Sequence, residues 1–169
     1  MRRDFTNPGK HHLSVTILIL LILQLTGCSG VTPPVPPDYS REKLLATPET
    51  LRTEQVELLL RTDLWRDFMP LGPPSGLQGV ITLSAMDSTQ FPNGIRAEAA
   101  YVLTAGDTWR TYLDNDEDRS VQEAFRKAWR FRNGPHWGPE IPVDVVVLVL
   151  TPDTEYLIRA PDQYILKAE

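Results

Sequence analysis

The residues VDVVVLVL, at positions 143–150, are the most strand-like segment of this chain and determine its predicted architecture. β-Branched side chains dominate the segment, and after Asp144 both faces of an extended strand would be apolar. A strand with two apolar faces belongs in the middle of a core. The sequence TPDT, 151–154, follows with proline where a type I turn prefers it, and EYLIRA, 155–160, returns as the partner strand. We therefore expect a hairpin at the centre of the folded body.

Alternating apolar and polar side chains predict further strands on the N-terminal side of this hairpin. Residues 77–85 alternate in this way, and residues 95–103 do so again after a polar loop. A turn at 105–107 then leads into residues 108–113, which indicates a second hairpin. In the 95–103 strand, one face is expected to hold Ile95, Ala97, Ala99, Tyr101 and Leu103.

Two weaker strand segments complete the set. Residues 54–61 are predicted as a strand, although a helix that starts near Thr47-Pro48-Glu49 competes, because proline fits the first helical turn. Residues 163–167 are predicted as an edge strand. Five to seven strands at this spacing predict an all-β fold, a single antiparallel β-sandwich of immunoglobulin or transthyretin type.

Helix and strand remain open alternatives for residues 120–131. Ser120 and Glu123 match a helix capping box, and the apolar residues that follow fit one helical face. Trp129 and Phe131 also alternate well enough for a strand. The sandwich is therefore predicted with a short helix in this segment as one of two possibilities.

The first residues of the chain have the three zones of a secretory signal. Residues 1–12 are polar and basic, Leu13–Leu23 carries no charge, and LTGC occupies 25–28. The apolar run is too short to cross a hydrocarbon core of about 30 Å, which needs about 20 residues as a helix. Its length and its basic flank are typical of an export signal.

The ending Leu25-Thr26-Gly27-Cys28 resembles the lipobox of bacterial lipoproteins. The resemblance implies that the chain is cleaved after Gly27 and that the Cys28 thiol carries a diacylglyceryl group and a further acyl chain such as palmitate. More than one acyl chain is enough for stable anchoring at a membrane. Ser29, rather than aspartate, follows the cysteine, which by the same resemblance implies the outer membrane, with the body facing the periplasm.

A proline-rich stretch, SGVTPPVPPDYS, follows the cysteine at positions 29–40. Such a composition favours an extended polyproline II spacer. The predicted organisation is a signal peptide at 1–27, a lipidated cysteine with its linker at 28–46, and a β-sandwich domain at 47–169. An N-terminal arm packed tightly against the body is the alternative to a free linker.

Charge and cysteine content exclude several classes of function. The net charge is −5, and because residues 1–27 are basic the remainder is more acidic still. Sequence-independent binding of nucleic acid needs a basic surface, so it is not expected here. A single cysteine excludes an internal disulfide framework and any metal site that uses several cysteines.

Catalytic and metal-binding patterns are not found in the sequence. His136 is the only histidine after the predicted signal, and no Gly-x-Ser-x-Gly motif accompanies it. The acidic run Asp114–Asp118 invites a calcium interpretation, but the EF-hand positions for glycine and glutamate hold Arg119 and Phe125. We therefore predict a non-enzymatic protein with no cofactor and no metal.

Four tryptophans are the remaining candidates for a binding site. Trp65, Arg66, Trp109 and Trp137 form the predicted binding face, with core packing of all four indoles, Trp129 included, as the competing interpretation. The leading hypothesis is a membrane-anchored module that binds a protein partner in the cell envelope. The alternative is a glycan-binding module, for peptidoglycan or polysaccharide, that uses exposed tryptophans.

The folded body also resembles a family of uncharacterised bacterial proteins with a small β-sandwich domain. The segments that carry the resemblance are LWRDFMP at 64–70, the surroundings of Trp109, GPHWGPEIPVDVVV at 134–147 and RAPDQYI at 159–165. The resemblance would cover about 54–169 and implies a fold, but no activity.

Overall fold

The computed structural model describes residues 35–54, 56–69, 72–87, 90–115 and 124–168. Strands account for 54% of these residues and helix for 4%, so the expectation of a β-rich fold is confirmed. The elements are α1 (Arg41–Leu45), β1 (Thr50–Arg52), β2 (Glu57–Asp67), β3 (Gln78–Ala85), β4 (Arg96–Leu103), β5 (Thr108–Tyr112), β6 (Asp114–Asn115), β7 (Arg126–Phe131), β8 (Pro142–Leu150) and β9 (Glu155–Ala168). In the described part of the chain, no helix has the length and apolar content needed to cross a bilayer.

The strands form one mixed sheet rather than two stacked ones. Its order is β5-β4-β8-β9-β2-β3-β7-β6, with β1 paired to β2 beside this path. Strands β2 and β9 run parallel, with Leu64 beside Ile165 and Asp67 beside Ala168. The predicted antiparallel-only arrangement is therefore wrong, and the sandwich is not confirmed, because the single sheet curls into a half-barrel.

Strand β9 is long enough to connect both halves of this sheet. Val143 pairs with Gln163 and Val145 with Ala160, so β9 contains one residue more than β8 at this point. Asp162 has a left-handed backbone (φ 52°), and its N–H donates to Asp144 Oδ1 over 3.1 Å. A bulge of this kind bends a strand and increases its twist. The bend lets the first part of β9 pair with β8 and the second part with β2, so the predicted edge strand 163–167 lies at the centre of the sheet.

A second bulge changes which side chains of β4 share a face. Ala97 pairs with Val149, and Ala99 pairs with the very next residue, Leu148, so that Glu98 is the extra residue. Before the bulge the odd-numbered side chains face the inner core, and beyond it the even-numbered ones do. Ala97 packs in the core inside the curl, together with Ala100 and Val102, whereas Ala99, Tyr101 and Leu103 pack in a smaller cluster on the outer face. The predicted common face of the odd-numbered residues is therefore wrong.

Strand β8 is buried on both of its faces, as its sequence predicts. Val145, Val147 and Val149 lie in the inner core, and Val146 and Leu148 lie in the outer cluster. All five are at most 2% exposed. The predicted hairpin with residues 155–160 is confirmed, since Val145 to Leu150 pair with Ala160 to Glu155.

The outer cluster is covered by residues that the sequence assigns to the linker. The compact unit that holds the described residues begins at Val35, twelve positions before the predicted domain boundary. Leu44 of α1 is fully buried, and the Tyr39 ring packs edge-on against Tyr101 at 5.6 Å between centroids. Tyr101 Oη donates to the carbonyl of Pro37 over 2.8 Å, and Asp38 pairs with Arg110 at 2.7 Å. Residues 35–46 thus pack as part of the folded body, and residues 29–34 of the proline-rich stretch lie outside the described residues.

The open helix-or-strand segment is a strand over its described part. Residues 126–131 form β7, in which Trp129 and Phe131 point into the core and Arg130 lies between them on the other face. Helix is therefore the wrong alternative for 126–131, and 120–123 lie outside the described residues. Burying two large aromatic rings at positions two residues apart requires the period of a strand.

The two ends of the sheet are joined by a single residue. Strand β5 pairs with β4, and β6 pairs with β7, yet only Leu113 separates β5 from β6 along the chain. The N–H of Leu113 donates to the carbonyl of Glu98 over 3.0 Å, at the position of the β4 bulge. Residues 108–115 therefore supply the strands at both ends of the sheet, β5 at one end and β6 at the other.

The outer cluster makes the stability of the protein sensitive to alkaline pH. Burial raises the pKa of the Tyr101 phenol well above its ordinary value of 10.0, and the neighbouring Tyr39 adds to the rise. The folded protein then keeps a proton that the unfolded chain releases above pH 10.0. The contribution of Tyr101 to stability is therefore expected to be constant below that pH and to fall above it, by up to about 1.4 kcal/mol per pH unit.

The variant Tyr101→Phe tests this assignment. It is expected to lose about 1 kcal/mol at neutral pH with the hydrogen bond to Pro37. It should also lose most of the alkaline slope, with a residual slope from Tyr39, whose pKa burial also raises. Urea unfolding from about pH 8 to about pH 11.5 measures both quantities. An unchanged slope in the variant would contradict the role of Tyr101.

Candidate functional site

A half-buried tryptophan and two exposed large side chains lie together on the outer face of β2 and β9. On β2, Leu64 is 2% exposed and Arg66 is 6% exposed, so both point into the curl and Trp65 between them points outward. On β9, Ile165 is fully buried, and Tyr164 and Leu166 on either side of it are 58% and 60% exposed. Trp65 and Leu166 are direct neighbours in the parallel pair of strands. We call Trp65, Tyr164 and Leu166 the outer apolar surface.

Acidic and polar side chains surround the outer apolar surface. Asp63 and Asp67 lie two residues before and after Trp65, hence on the same face of β2. Gln78 of β3 is the cross-strand neighbour of Trp65 on the other side. Met69, which is 55% exposed, follows just beyond the end of β2, and its N–H donates to Asp67 Oδ1 over 2.9 Å. The surface therefore combines a half-exposed indole, a phenol and aliphatic groups with carboxylates at its margin.

Arg66, which the sequence places in the binding face, is instead occupied by backbone groups of two loops. Its Nε donates to the carbonyl of Ser75 over 2.9 Å, and its Nη1 donates to the carbonyls of His136 and Gly138 over 3.1 and 2.9 Å. Its Nη2 lies 3.1 Å from Nδ1 of His136. The guanidinium thus holds residues 72–77 and 134–138 against the end of β2, and we call it the loop clamp.

The other predicted tryptophans are packed against the inner core. Trp109 of β5 is half-buried and makes an edge-on contact with Phe131 at 5.3 Å between ring centroids. Trp137 is also half-buried against this core, and Trp129 is only 5% exposed. Trp65 is the one of the four that faces outward beside exposed apolar residues. The structure therefore does not bring Trp65, Arg66, Trp109 and Trp137 onto one face.

Tyr164 and Leu166 are site residues that sequence reasoning missed. In QYILK, Tyr164 and Leu166 alternate with Ile165, so both faces of this short strand carry apolar side chains. Nothing local indicates which face is buried. The signal that could have found them is Trp65 in a neighbouring strand of the same sheet, but that pairing joins residues about a hundred positions apart.

The remaining sequence candidates lie apart from the outer apolar surface or outside the described residues. His136 is exposed, with its ring next to the loop clamp. Asp114 starts the two-residue strand β6, and residues 116–118 of the acidic run are not described. Within the described ranges no three histidine, cysteine or acidic side chains are grouped as a metal ion would require. Cys28 and the lipobox also fall outside the described residues.

Comparisons with protein-family models, with curated proteins and with solved structures find no match to this chain. The resemblance of the body to small bacterial β-sandwich proteins gains no support from them.

Proposed function

We propose that this chain is a lipid-anchored protein of the cell envelope whose β-rich body binds a protein partner without catalysing a reaction. The observation that carries the proposal is the outer apolar surface. Single exposed apolar residues are common on soluble proteins, whereas adjacent large ones at a sheet surface mark interaction sites. Tryptophan and tyrosine are also enriched at protein interfaces, since each combines a large apolar ring with a polar group.

The anchor in this proposal is Cys28, with the lipobox resemblance of residues 25–28 as its support. The body begins at Val35, so six residues of chain separate it from the cysteine, and the Cα atoms of Cys28 and Val35 are at most about 25 Å apart. This is shorter than the spacer that the proline-rich sequence predicts, because residues 35–40 pack on the body. The proposed location is the outer membrane, with the body facing the periplasm.

The position of the outer apolar surface favours a protein over the bilayer as its occupant. The chain enters at Val35, whose carbonyl accepts from Tyr112 Oη at the end of β5. Tyr112 pairs with Ala99 of β4, and Ala99 pairs with Leu148 of β8. Leu148 in turn pairs with Leu157, so Val35 lies level with the start of β9. Tyr164 lies seven residues further along β9, roughly 20 Å away. A body tethered at Val35 therefore presents the outer apolar surface at a distance from its attachment.

Membrane fractionation of cells that express the full chain tests the anchor. The variant Cys28→Ser is expected to leave the membrane fraction, because the serine hydroxyl replaces the thiol that accepts the lipid. Ser29→Ala is the matched control and should remain in the membrane fraction. Mass spectrometry of the mature N-terminus identifies the modification, and an unmodified start at another residue would contradict the anchor.

Site-specific photo-crosslinking in intact cells tests the partner. A photoreactive side chain at position 164 is expected to give one discrete crosslinked protein, and the substitution Leu166→Asp should abolish that product by placing a charge in the contact. The matched control carries the photoreactive group at Asp153, which is exposed in the turn between β8 and β9. Equal crosslinking from both positions, or none from position 164, would contradict the proposal.

A glycan-binding module is the second candidate, and the observation that favours it is that Trp65 and the exposed Tyr164 lie on the same face of two adjacent strands. Aromatic faces stack on sugar rings, and Asp63, Asp67 and Gln78 could accept hydrogen bonds from hydroxyl groups. Titration with soluble peptidoglycan fragments, followed by indole fluorescence, measures such binding. Loss of binding in Trp65→Ala and retention in Trp65→Phe would identify this function, and unchanged fluorescence throughout would dismiss it.

A further inference from the structure

A groove of about 660 Å³ crosses the outer face of β2, β3 and β7, at the opposite end of β2 from Trp65. Its size is within the range of ligand sites for small molecules. The polar part of its lining comprises Arg61, Asp63, Thr82, Ser84 and Arg126, and its apolar lining includes Leu59 and Phe125.

Strand register explains why a depression forms at this place. Arg61, Thr82 and Ala128 form one row across the three strands, and Leu59, Ser84 and Arg126 form the next row. Ala128 is 3% exposed, and its methyl group is the smallest side chain among the outward residues of β7. The two arginines stand diagonally on either side of this low point, one on β2 and one on β7.

Several side chains in the groove have hydrogen-bonding capacity that the protein does not use. In the part of the chain that the structure describes, Arg61, Thr82 and Ser84 make no side-chain hydrogen bond or ion pair. Arg66 on the same strand, by contrast, donates to backbone carbonyls through its Nε and Nη1. An arginine fork with free donors matches the two oxygens of a carboxylate, and adjacent hydroxyl groups can donate to the same anion.

The rest of the lining limits the kind of anion. Asp63 also borders the groove and follows Arg61 by two residues on the same face of β2, so the two arginines and one aspartate of the lining leave one net positive charge, which a single negative charge on the ligand balances. Leu59, Phe125 and the 55% exposed Met86 offer an apolar wall beyond the hydroxyl groups. A singly charged head with a short apolar part satisfies both halves of the groove.

We infer that this groove binds a small organic carboxylate that carries an apolar or aromatic portion. The carboxylate lies against Arg61 and the hydroxyl groups of Thr82 and Ser84, and the apolar portion lies along Leu59 and Phe125. The groove shares only Asp63 with the margin of the outer apolar surface, so it adds a ligand to the protein partner proposed above. Neither inference requires the other.

Calorimetric titration of the purified full chain tests the site, with phenylpropionate as the probe and phenylpropanol as its uncharged counterpart. Saturable binding of the carboxylate and much weaker binding of the alcohol are expected. Arg61→Gln should weaken the carboxylate about tenfold or more, since a hydrogen bond to a charged group is lost, and Thr82→Val should weaken it less. Both positions are on the surface, and circular dichroism confirms that each variant is folded.

Two control variants separate this site from general charge effects and from the protein-binding surface. Arg132→Gln removes an exposed arginine just beyond β7 that does not line the groove, and it should leave binding unchanged. Leu166→Asp should also leave it unchanged, because Leu166 is at the other end of the face. Equal affinity for acid and alcohol, an equal loss in Arg132→Gln and Arg61→Gln, or no saturable binding to the wild type would each overturn the inference.

Discussion

Replacing Arg66 with leucine is expected to lower the free energy of unfolding by about 3 kcal/mol. The substitution keeps an apolar stem but leaves the carbonyls of Ser75, His136 and Gly138 without the donor that now satisfies them. A buried acceptor without a partner costs about 1–3 kcal/mol, and water that reaches the loop ends will recover part of that cost. Urea unfolding followed by circular dichroism measures the change.

Two further variants show whether the lost hydrogen bonds of the loop clamp cause the expected fall in the free energy of unfolding. Arg66→Lys retains the charge, but one ammonium group cannot reach acceptors on both loops, so an intermediate loss is expected. Arg61→Leu removes an exposed arginine from the same strand and should change stability by less than about 0.5 kcal/mol. If Arg66→Leu and Arg61→Leu lowered stability equally, the hydrogen bonds to the loops would not be the cause.

The substitution Gly76→Ala is expected to destabilise the protein by about 2–3 kcal/mol. A Cβ at this position would collide with the carbonyl oxygen of Gly134 and would also lie 3.2 Å from its nitrogen. Both are backbone atoms, so no side-chain rotation can relieve the contact, and one of the two loops must move. Thermal unfolding of the variant measures the cost.

Gly72→Ala is the matched control in the same loop. Apart from its chain neighbours, no atom of the residues that the structure describes lies within 4 Å of a Cβ built on Gly72. Replacing this glycine mainly restricts the unfolded chain, which stabilises a protein by about 0.4–1 kcal/mol when the native backbone accepts alanine. Similar melting temperatures for the two variants would show that the loops around Gly76 and Gly134 are not closely packed.

Arg66 and Gly76 are coupled, because both determine how residues 72–77 lie against residues 133–138. In Gly76→Ala the loops have already moved apart, so Arg66 makes fewer hydrogen bonds to their carbonyls. Removing Arg66 from that variant therefore costs less free energy of unfolding than removing it from the wild type. The double variant should therefore be less destabilised than the sum of the two single changes.

Local pattern was sufficient for the parts of the fold that depend on neighbouring residues in the chain. The hairpin of β8 and β9 is one such part, since the β-branched run, the TPDT turn and the returning strand are contiguous in the sequence. The burial of β8 on both faces was predictable for the same reason. The strand at 77–85 also matches its alternation, with Ile81 and Leu83 in the core.

The features that distinguish a curled single sheet from a sandwich are not local. Pro161 and Asp162 look like a break between two strands, but the chain passes through them as a bulge and continues as β9. The parallel pairing of β9 with β2 joins residues about a hundred positions apart, and it has no signature in either segment. The bulge at Glu98 likewise depends on which residues of β8 face β4.

For the candidate site residues too, the residue type was evident from the sequence, whereas the surroundings depend on residues distant in the chain. Trp65 could be identified as a candidate because tryptophan is rare and informative, but its outward direction depends on which neighbours are buried. Arg66 stands beside it and appeared equally suited to a ligand. Its acceptors include backbone carbonyls about 70 positions away. Every residue has a backbone carbonyl, so the sequence does not indicate which of them will accept from Arg66.

The single-residue junction between β5 and β6 has a consequence for how copies of this protein behave when crowded together. Exposed strand edges can recruit strands from other molecules and so start aggregation. Here the strand order ends in strands of five and two residues, and both belong to one continuous segment that turns at Leu113. Among the described residues, the end strands offer a foreign strand five residues to pair with on β5 and two on β6. The body can therefore be concentrated on a surface without its sheet serving as a template for polymerisation.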